Sequence, residues 1–393
     1  MPTTNEEVLI IGGGPAGLAT AGCLQRRGIA ARILEQGPDV AHSWARYYDR
    51  VRLHTGKHLS NLPNAPFGRD YPLYVERDAL VRYFRDYARR FDLAVSTNER
   101  VVAVEHAPDG GWRVTTDRQI RHAPAVVVAS GSFDNPIRPA LPGADQFGGP
   151  IRHTAEYRNP ASLPGQRVLV IGAGNSGTEI AVELADAGRT VTVAIRSGIN
   201  IVAREYLGIL PIQYLGFIVR HLPHRLARRL TARTDAQGAR RLARAGIPKA
   251  PYHTLSQVPV IGLDLLDRIR RGQITVRGGV ARLAPGQVEF SDGTSASCDA
   301  ILLATGYAPA IDFLRPLAAD PATLIPAEGV ASPTEPGLYF VGAHRTTQGQ
   351  LYLIGRREGP ETARLIVRQL RELSHEGVRQ ATSAPGTEKQ RGA

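Results

Sequence analysis

The chain has 393 residues, with 48 Lys and Arg against 36 Asp and Glu, a net charge of +12 and a pI of about 10.1. Hydrophobic residues at 42% and charged residues at 21% describe an ordinary globular chain, long enough for two or three domains with sizeable cores. Its two cysteines, Cys23 and Cys298, stand far apart and exclude a disulfide framework, a cysteine metal site and a redox C-x-x-C pair.

Val8 to Ile11 is an apolar run that reads as a buried parallel strand, and Gly12, Gly14 and Gly17 after it fit G-x-G-x-x-G, with Pro15 and Ala16 inside the motif. Gly12 allows the tight turn, Gly14 lets the backbone approach a pyrophosphate, and Gly17 lets the helix pack on the sheet. Backbone N–H groups at the helix start face the phosphates. A second strand, Ala30 to Leu34, ends in Glu35 and Gln36, where a carboxylate can accept hydrogen bonds from a ribose 2′-OH. Residues 37–74 are loop-rich and carry Trp44, His54 and His58; residues 75–90 have Leu80, Tyr83, Phe84 and Tyr87 at helical spacing. Short strands near Val101–Val104, Trp112–Thr115 and Val126–Ala129 lead into a proline-rich crossing, Pro136 to Pro142.

The strand–glycine turn–helix unit then recurs at Arg167 to Ile195, with Gly172, Gly174 and Gly177, and with Asn175 and Ser176 between them. Arg196 and Ser197 stand where the first unit has Glu35 and Gln36. A guanidinium suits a 2′-phosphate and a carboxylate repels one, so the first unit should take a dinucleotide without a 2′-phosphate and the second NADP. The lesser alternative for Arg196 is a solvated residue at a strand end. Gly208 to Leu230 is apolar at its start and basic at its end, which suits a lid, an ordinary surface helix pair or a peripheral membrane contact. Val288–Phe290 with Asp292-Gly293 reads as a hairpin, and Ala300–Ala304 as a buried strand running into Thr305, Gly306 and Tyr307 and returning the chain to the first domain. Leu338–Val341 is one more strand, and residues 357–373 a closing helix.

The expected fold class is α/β, with two Rossmann-like domains, the second inserted into the first: residues 1–160 and 301–373 form one, residues 161–300 the other, and residues 374–393 a disordered tail. Only three lysines are present (Lys57, Lys249, Lys389), so the basicity is arginine, and codon usage accounts for most of it. No nucleic-acid-binding motif accompanies the charge, so no nucleic-acid partner is expected. The first strand begins by about Val8, which leaves no room for a signal peptide, and no apolar run approaches the ~20 residues of a membrane span, so a cytoplasmic enzyme is expected.

Between the glycine motifs, Phe147, Gly149, His153 and Tyr157 fit F-x-G-x-x-x-H-x-x-x-Y. Together with both motifs and the A-T-G-Y at Ala304–Tyr307, this resembles the flavin-containing monooxygenase superfamily. Within it, Tyr48–Phe67, Gly174–Gly188 and Arg196–Gly208 with Arg204-Glu205 are most similar to the plant YUCCA type, indole-3-pyruvate monooxygenases that make indole-3-acetate. The resemblance implies FAD on the first motif, NADPH on the second, and transfer of one oxygen atom from O₂ to a small-molecule substrate through a C4a-(hydro)peroxyflavin. It implies a 2-oxo acid such as indole-3-pyruvate or phenylpyruvate, and leaves the chain a monomer or a homodimer.

By the same resemblance Trp44, Arg52 and Lys57 lie near the flavin, Thr305, Gly306 and Tyr307 line the return crossing beside FAD, and Gln348 and Leu351 precede a helix facing the flavin. His54 stands where heteroatom-oxidising members carry asparagine; His54, Lys57 and Tyr157 are the candidate catalytic residues. His153 and Tyr157 would couple NADPH position to flavin reduction. No metal is called for. Rival readings are an N- or S-oxygenating monooxygenase, a Baeyer–Villiger oxygenase (a branch whose fingerprint ends in Trp, against Tyr157), an NADPH oxidase or reductase, and a flavin-binding protein without activity.

Overall fold

Four apolar residues in a row, Val8–Ile11 (β1), leave no polar side for water. All four are buried in the computed structural model, which describes residues 7–206, 210–252, 257–344 and 349–383. Pro15–Gln25 (α1) buries ten of its eleven residues, as a helix covered on every side must. Then come Ala31–Leu34 (β2), the short His42–Ala45 (α2) and the amphipathic Arg77–Arg90 (α3), which turns Leu80, Val81, Tyr83, Phe84 and Tyr87 inward. Ala94–Ser96 (β3) precedes an antiparallel meander of Val101–His106 (β4), Trp112–Thr116 (β5) and Ile120–Ala123 (β6), and Val126–Val128 (β7) follows.

The second unit contains Ile151–His153 (β8), Arg167–Ile171 (β9), Asn175–Asp186 (α4) and Thr190–Ala194 (β10). Short pieces follow: Ile201–Val202 (β11), Glu205–Tyr206 (β12), Leu210–Pro211 (β13), the helical hairpin Ile212–Arg220 (α5) and His224–Arg244 (α6), and Val260–Ile261 (β14). After Asp264–Arg270 (α7) and Ile274–Arg277 (β15) comes a second antiparallel meander: Val280–Ala284 (β16), Gln287–Phe290 (β17) and Ser295–Ser297 (β18), the last two joined through the expected hairpin. Ala300–Leu303 (β19), Leu338–Phe340 (β20), Gln350–Leu353 (α8), a π-helical turn over Ile354–Glu358, and Gly359–Ser383 (α9) close the chain.

Two five-stranded parallel sheets result, ordered β20–β7–β1–β2–β3 and β15–β10–β9–β19–β8. This is the doubly wound α/β architecture the two glycine units call for. Two expectations need correcting. Ala300–Leu303 does not return the chain to the first sheet: it lies between β9 and β8 in the second, and only β20 rejoins the first. The second domain therefore runs from β8 through β19, beyond the expected limits of 161 and 300. The closing helix also continues to Ser383, through residues expected to form a disordered tail. Polar composition alone does not stop a helix, and the first proline after its start turn is Pro385.

The two crossings between domains run side by side. The Ile137 and Ala308 amides donate to the carbonyls of Gly306 and Asn135, the Ala310 amide to Gly131, and the Thr305 hydroxyl to Ile137, forming a two-stranded tether.

Candidate active site

The two glycine turns have the same geometry. Gly12 has φ +108° and Gly172 φ +105°, and a Cβ on either would lie 2.5 Å from a backbone oxygen of the neighbouring strand's exit, Ala129 in one unit and Ala304 in the other. A Cβ on Gly17 or Gly177 would strike the carbonyl of the first glycine of its own turn. Gly14 and Gly174 differ: nothing lies within 4 Å of an added Cβ, so their backbone borders open space. No side chain caps α1 or α4, and Pro15 sits in the first turn of α1, leaving helix N-termini suited to a pyrophosphate. Glu35 lies where the sequence places it, but its two oxygens already accept the Gly13 and Gly37 amides, each at 2.7 Å. The carboxylate thus braces the turn and keeps further lone pairs with which it could meet a ribose.

A cleft of about 720 Å³ opens along the first turn and extends to the second domain. Of the residues singled out in the sequence, Gly12, Gly14, Pro15, Ala16, Glu35, Gln36, Trp44, His54, Asn175 and Leu351 line it. Among the described residues, three buried polar atoms on its wall have no protein partner: His54 Nδ1, Ser130 Oγ and Gln350 Nε2. Leaving such atoms unpaired costs about 1–3 kcal/mol each, so the wall is built to meet a polar ligand, and an extended dinucleotide such as FAD fits it. Ser130 and Gln350 were not singled out as ligand groups. Ser130 was discoverable, because ligands of open α/β sheets sit beyond the carboxyl ends of the strands and Ser130 follows β7.

Other expected residues lie elsewhere. Lys57 is not on the cleft wall; its ammonium donates to the Gly68 and Tyr71 carbonyls at 2.9 and 2.5 Å and so closes the 57–71 loop. The guanidinium of Arg52 pairs with Glu76 and borders a separate polar cavity of about 180 Å³. Asn175 uses both ends of its amide on the 259–261 loop, donating to the Pro259 carbonyl and accepting from the Ile261 amide. Gly172, Gly174, Ser176 and Gly177 form the second turn, and Arg196 and Ser197 are exposed at the end of β10, on the second domain's own face. Thr305, Gly306 and Tyr307 belong to the tether rather than the cleft wall. Gln348 lies outside the described residues.

The fingerprint residues knit the second domain to its own core and to the tether. Phe147 fills the second domain's core, and a Cβ on Gly149 would strike the Asp299 carbonyl. His153 is fully buried; its Nδ1 accepts the Ala155 amide at 3.1 Å and its Nε2 donates to Gly306 of the return crossing at 3.1 Å. Acceptance at Nδ1 needs the neutral ring with its proton on Nε2, and burial likewise pushes its pKa down. The Tyr157 hydroxyl donates to Glu183 at 2.9 Å. Glu183 belongs to a stripe on α4, Glu179, Glu183 and Asp186, which receives Tyr48 at 2.7 Å, Tyr157, and Arg50 at 3.3 Å. One helix face thus takes Tyr48 and Arg50 from the first domain and, between them, Tyr157 from the segment after β8. Burial raises the Glu183 carboxyl, and burial beside Glu179 raises the Tyr48 phenol well above its usual value.

At the cleft end of this stripe, Glu179 Oε1 lies 3.6 Å from His54 Nε2 and 3.7 Å from Arg204. Burial lowers the His54 pKa despite Glu179, so the ring is neutral near pH 7. The carboxylate favours the proton on Nε2, which leaves Nδ1 as an acceptor on the cleft wall.

A family model for pyridine nucleotide-disulphide oxidoreductases matches residues 9–206. The chain is 35% identical over 315 residues to indole-3-pyruvate monooxygenase YUCCA6 of Arabidopsis thaliana, covering 76% of this chain and 75% of that protein. It is also 35% identical over 353 residues to indole-3-pyruvate monooxygenase YUCCA1 of Oryza sativa subsp. japonica, covering 85% and 86%. Among solved structures, a flavin-containing monooxygenase from Stenotrophomonas maltophilia superposes with a TM-score of 0.70 at 22% identity over 94% of this chain and 98% of that one. Cyclohexanone monooxygenase in its open form superposes with 0.69 at 18% identity, over 93% and 88%; both likenesses are of fold. The chain belongs to the flavin monooxygenases of the YUCCA type, enzymes that work with FAD and NADPH.

Proposed function

We propose that this enzyme catalyses the NADPH- and O₂-dependent oxidative decarboxylation of a 2-oxo acid bearing an aromatic group, with indole-3-pyruvate or phenylpyruvate as the substrate. The balance is R–CO–COO⁻ + O₂ + NADPH + H⁺ giving R–COO⁻ + CO₂ + NADP⁺ + H₂O. FAD, when bound, supplies the electron transfer from NADPH and the activation of O₂. The chain's own groups do the rest. The first glycine turn, with α1 behind it and Glu35 beside it, holds one dinucleotide; the second turn with Arg196 holds the other. Trp44 and Leu351 give the cleft an apolar wall that excludes water.

The observation that carries the reading is His54: a neutral imidazole on the wall between the two turns, with Nδ1 buried and without a protein partner. Such an acceptor holds a proton donor in place without adding charge beside an anionic substrate. The relatives' names add support, because both are called indole-3-pyruvate monooxygenases. The test is direct. Holoenzyme given NADPH, ¹⁸O₂ and indole-3-pyruvate should form indole-3-acetate carrying one labelled oxygen, mole for mole with NADPH consumed. Stoichiometric hydrogen peroxide with no acid product, or oxygenation confined to sulfides and amines, would refute the substrate class.

A further inference from the structure

The arginine excess is not spread evenly. Residues 210–250 hold nine basic residues against one acid, Asp235, a net of +8 out of the chain's +12. The other 352 residues, with 39 basic and 35 acidic, carry only +4. Codon usage exchanges lysine for arginine; it does not remove acids. The depletion of Asp and Glu from one segment therefore needs a physical reason.

The fold gathers this charge on one face. At about 100° per residue, the exposed Arg225, Arg229, Arg240, Arg241 and Arg244 of α6 fall within a sector of about 160°. Gly238 and Leu242 lie on the opposite side and are buried, with Gly238 against the Ile201 carbonyl. The helix is thus fixed to the second domain by its small and apolar side and presents its basic side outward. In the middle of the basic sector stands Leu226, 45% exposed, and across the His221–Pro223 turn Ile218 of α5 is 55% exposed. The neighbouring Val219 is buried and Phe217 packs on Tyr352 at 4.4 Å, so α5 also has a seated side and an outward side.

We propose that the outer face of the α5–α6 hairpin docks on an anionic lipid surface, its arginines against headgroup phosphates and Ile218 and Leu226 inserted between them. Charge complementarity requires an anionic partner, and two large apolar side chains at the tip of a basic hairpin select a bilayer over a nucleic acid, whose phosphates offer them no apolar depth. Among the described residues no helix is long and apolar enough to cross a membrane, so the contact is peripheral. The inference goes beyond the proposed reaction and holds whatever 2-oxo acid the cleft takes.

Flotation of the holoenzyme with phosphatidylcholine vesicles, with and without phosphatidylglycerol, tests it. Binding is expected only to the anionic vesicles, falling steeply with salt. Arg225→Glu with Arg229→Glu should weaken it about tenfold or more, and Leu226→Ser should weaken the salt-resistant part, with NADPH oxidation and FAD content unchanged in each variant. Arg240→Glu, at the far end of the helix, provides a second reversal independent of the hairpin tip. Failure to float with anionic vesicles would overturn the proposal. So would binding that Leu226→Ser leaves unchanged and duplex DNA fully displaces, which would assign the face to a nucleic acid.

Discussion

Tyr157→Phe separates a strut within the second domain from a catalytic acid. The ring is 1% exposed and its hydroxyl makes one bond, 2.9 Å to Glu183. Phenylalanine keeps the ring's packing and removes only that donor, so no cavity term enters. Glu183 is half-buried, its carboxyl already raised by burial and held down in part by this bond. Losing a hydrogen bond to a partly buried charge costs about 1.5–3 kcal/mol. The deficit should follow the protonation of Glu183. Without the tyrosine donor its pKa rises further, so the deficit is full at pH values above that raised pKa. It fades as the pH falls through it, where the neutral acid no longer needs the bond.

The assay is a double-mutant cycle with Glu183→Gln, read by urea denaturation at two pH values, together with anaerobic flavin reduction by NADPH. The strut predicts a coupling energy of about 1.5–3 kcal/mol at neutral pH, with Glu183→Gln restoring much of the stability lost in Tyr157→Phe. Flavin reduction should slow modestly, because the nicotinamide is less well placed. A Tyr157→Phe enzyme within about 0.5 kcal/mol of the parent, with additive single changes and abolished turnover, would refute the strut and restore a proton-transfer role.

Three other outcomes follow from the same geometry. Arg196→Ala should raise the KM for NADPH at least tenfold while leaving that for NADH within about twofold, since only the former carries the 2′-phosphate; equal effects would remove Arg196 from the site. Gly172→Ala forces φ +105° and a clash with the Ala304 carbonyl, and should cost several kcal/mol or prevent folding, measured by thermal melting. Gly174→Ala meets no protein atom and should melt like the parent while binding NADPH more weakly in a direct titration. Lastly, His54 and His153 both have pKa values below 6.5, with Glu179 and Arg204 facing the first and Glu156 and Arg138 the second. The unfolded chain then takes up protons that the folded one refuses, so stability should fall as pH drops below 6.5, and His54→Gln should flatten that slope; an unchanged slope would show His54 to be protonated in the fold.

Much of the fold was legible because its determinants are local. A four-residue apolar run, glycines at fixed spacing and a helix after them specify a strand, a turn and a phosphate-facing helix start without help from distant residues, and both turns have the predicted form. The fate of Ala300–Leu303 was not local. The run announces a strand buried on both faces but not which sheet buries it, and two similar parallel sheets were on offer. His54 and Trp44 line the cleft, whereas Lys57 reaches back to its own loop's carbonyls. A lysine's long stem can serve either end, and sequence spacing does not choose between them.

The α4 stripe shows the same limit and what lies beyond it. Glu179, Glu183 and Asp186 at i, i+4 and i+7 would pass for the solvated face of any amphipathic helix. Their meaning comes from Tyr48, Tyr157 and Arg50, which approach from 131, 26 and 136 residues away in sequence. The same helix that begins at the second glycine turn thereby carries, along one side, the bonds to Tyr48 and Arg50 that seat it on the first domain. Its N-terminus is left without a side-chain cap at the second glycine turn, and its first stripe carboxylate faces the histidine on the cleft wall. A shift of α4 along its axis would move the second glycine turn and loosen Glu179 from His54 together. Tyr48 and Arg50, bonded to this face of α4, hold the two units in register.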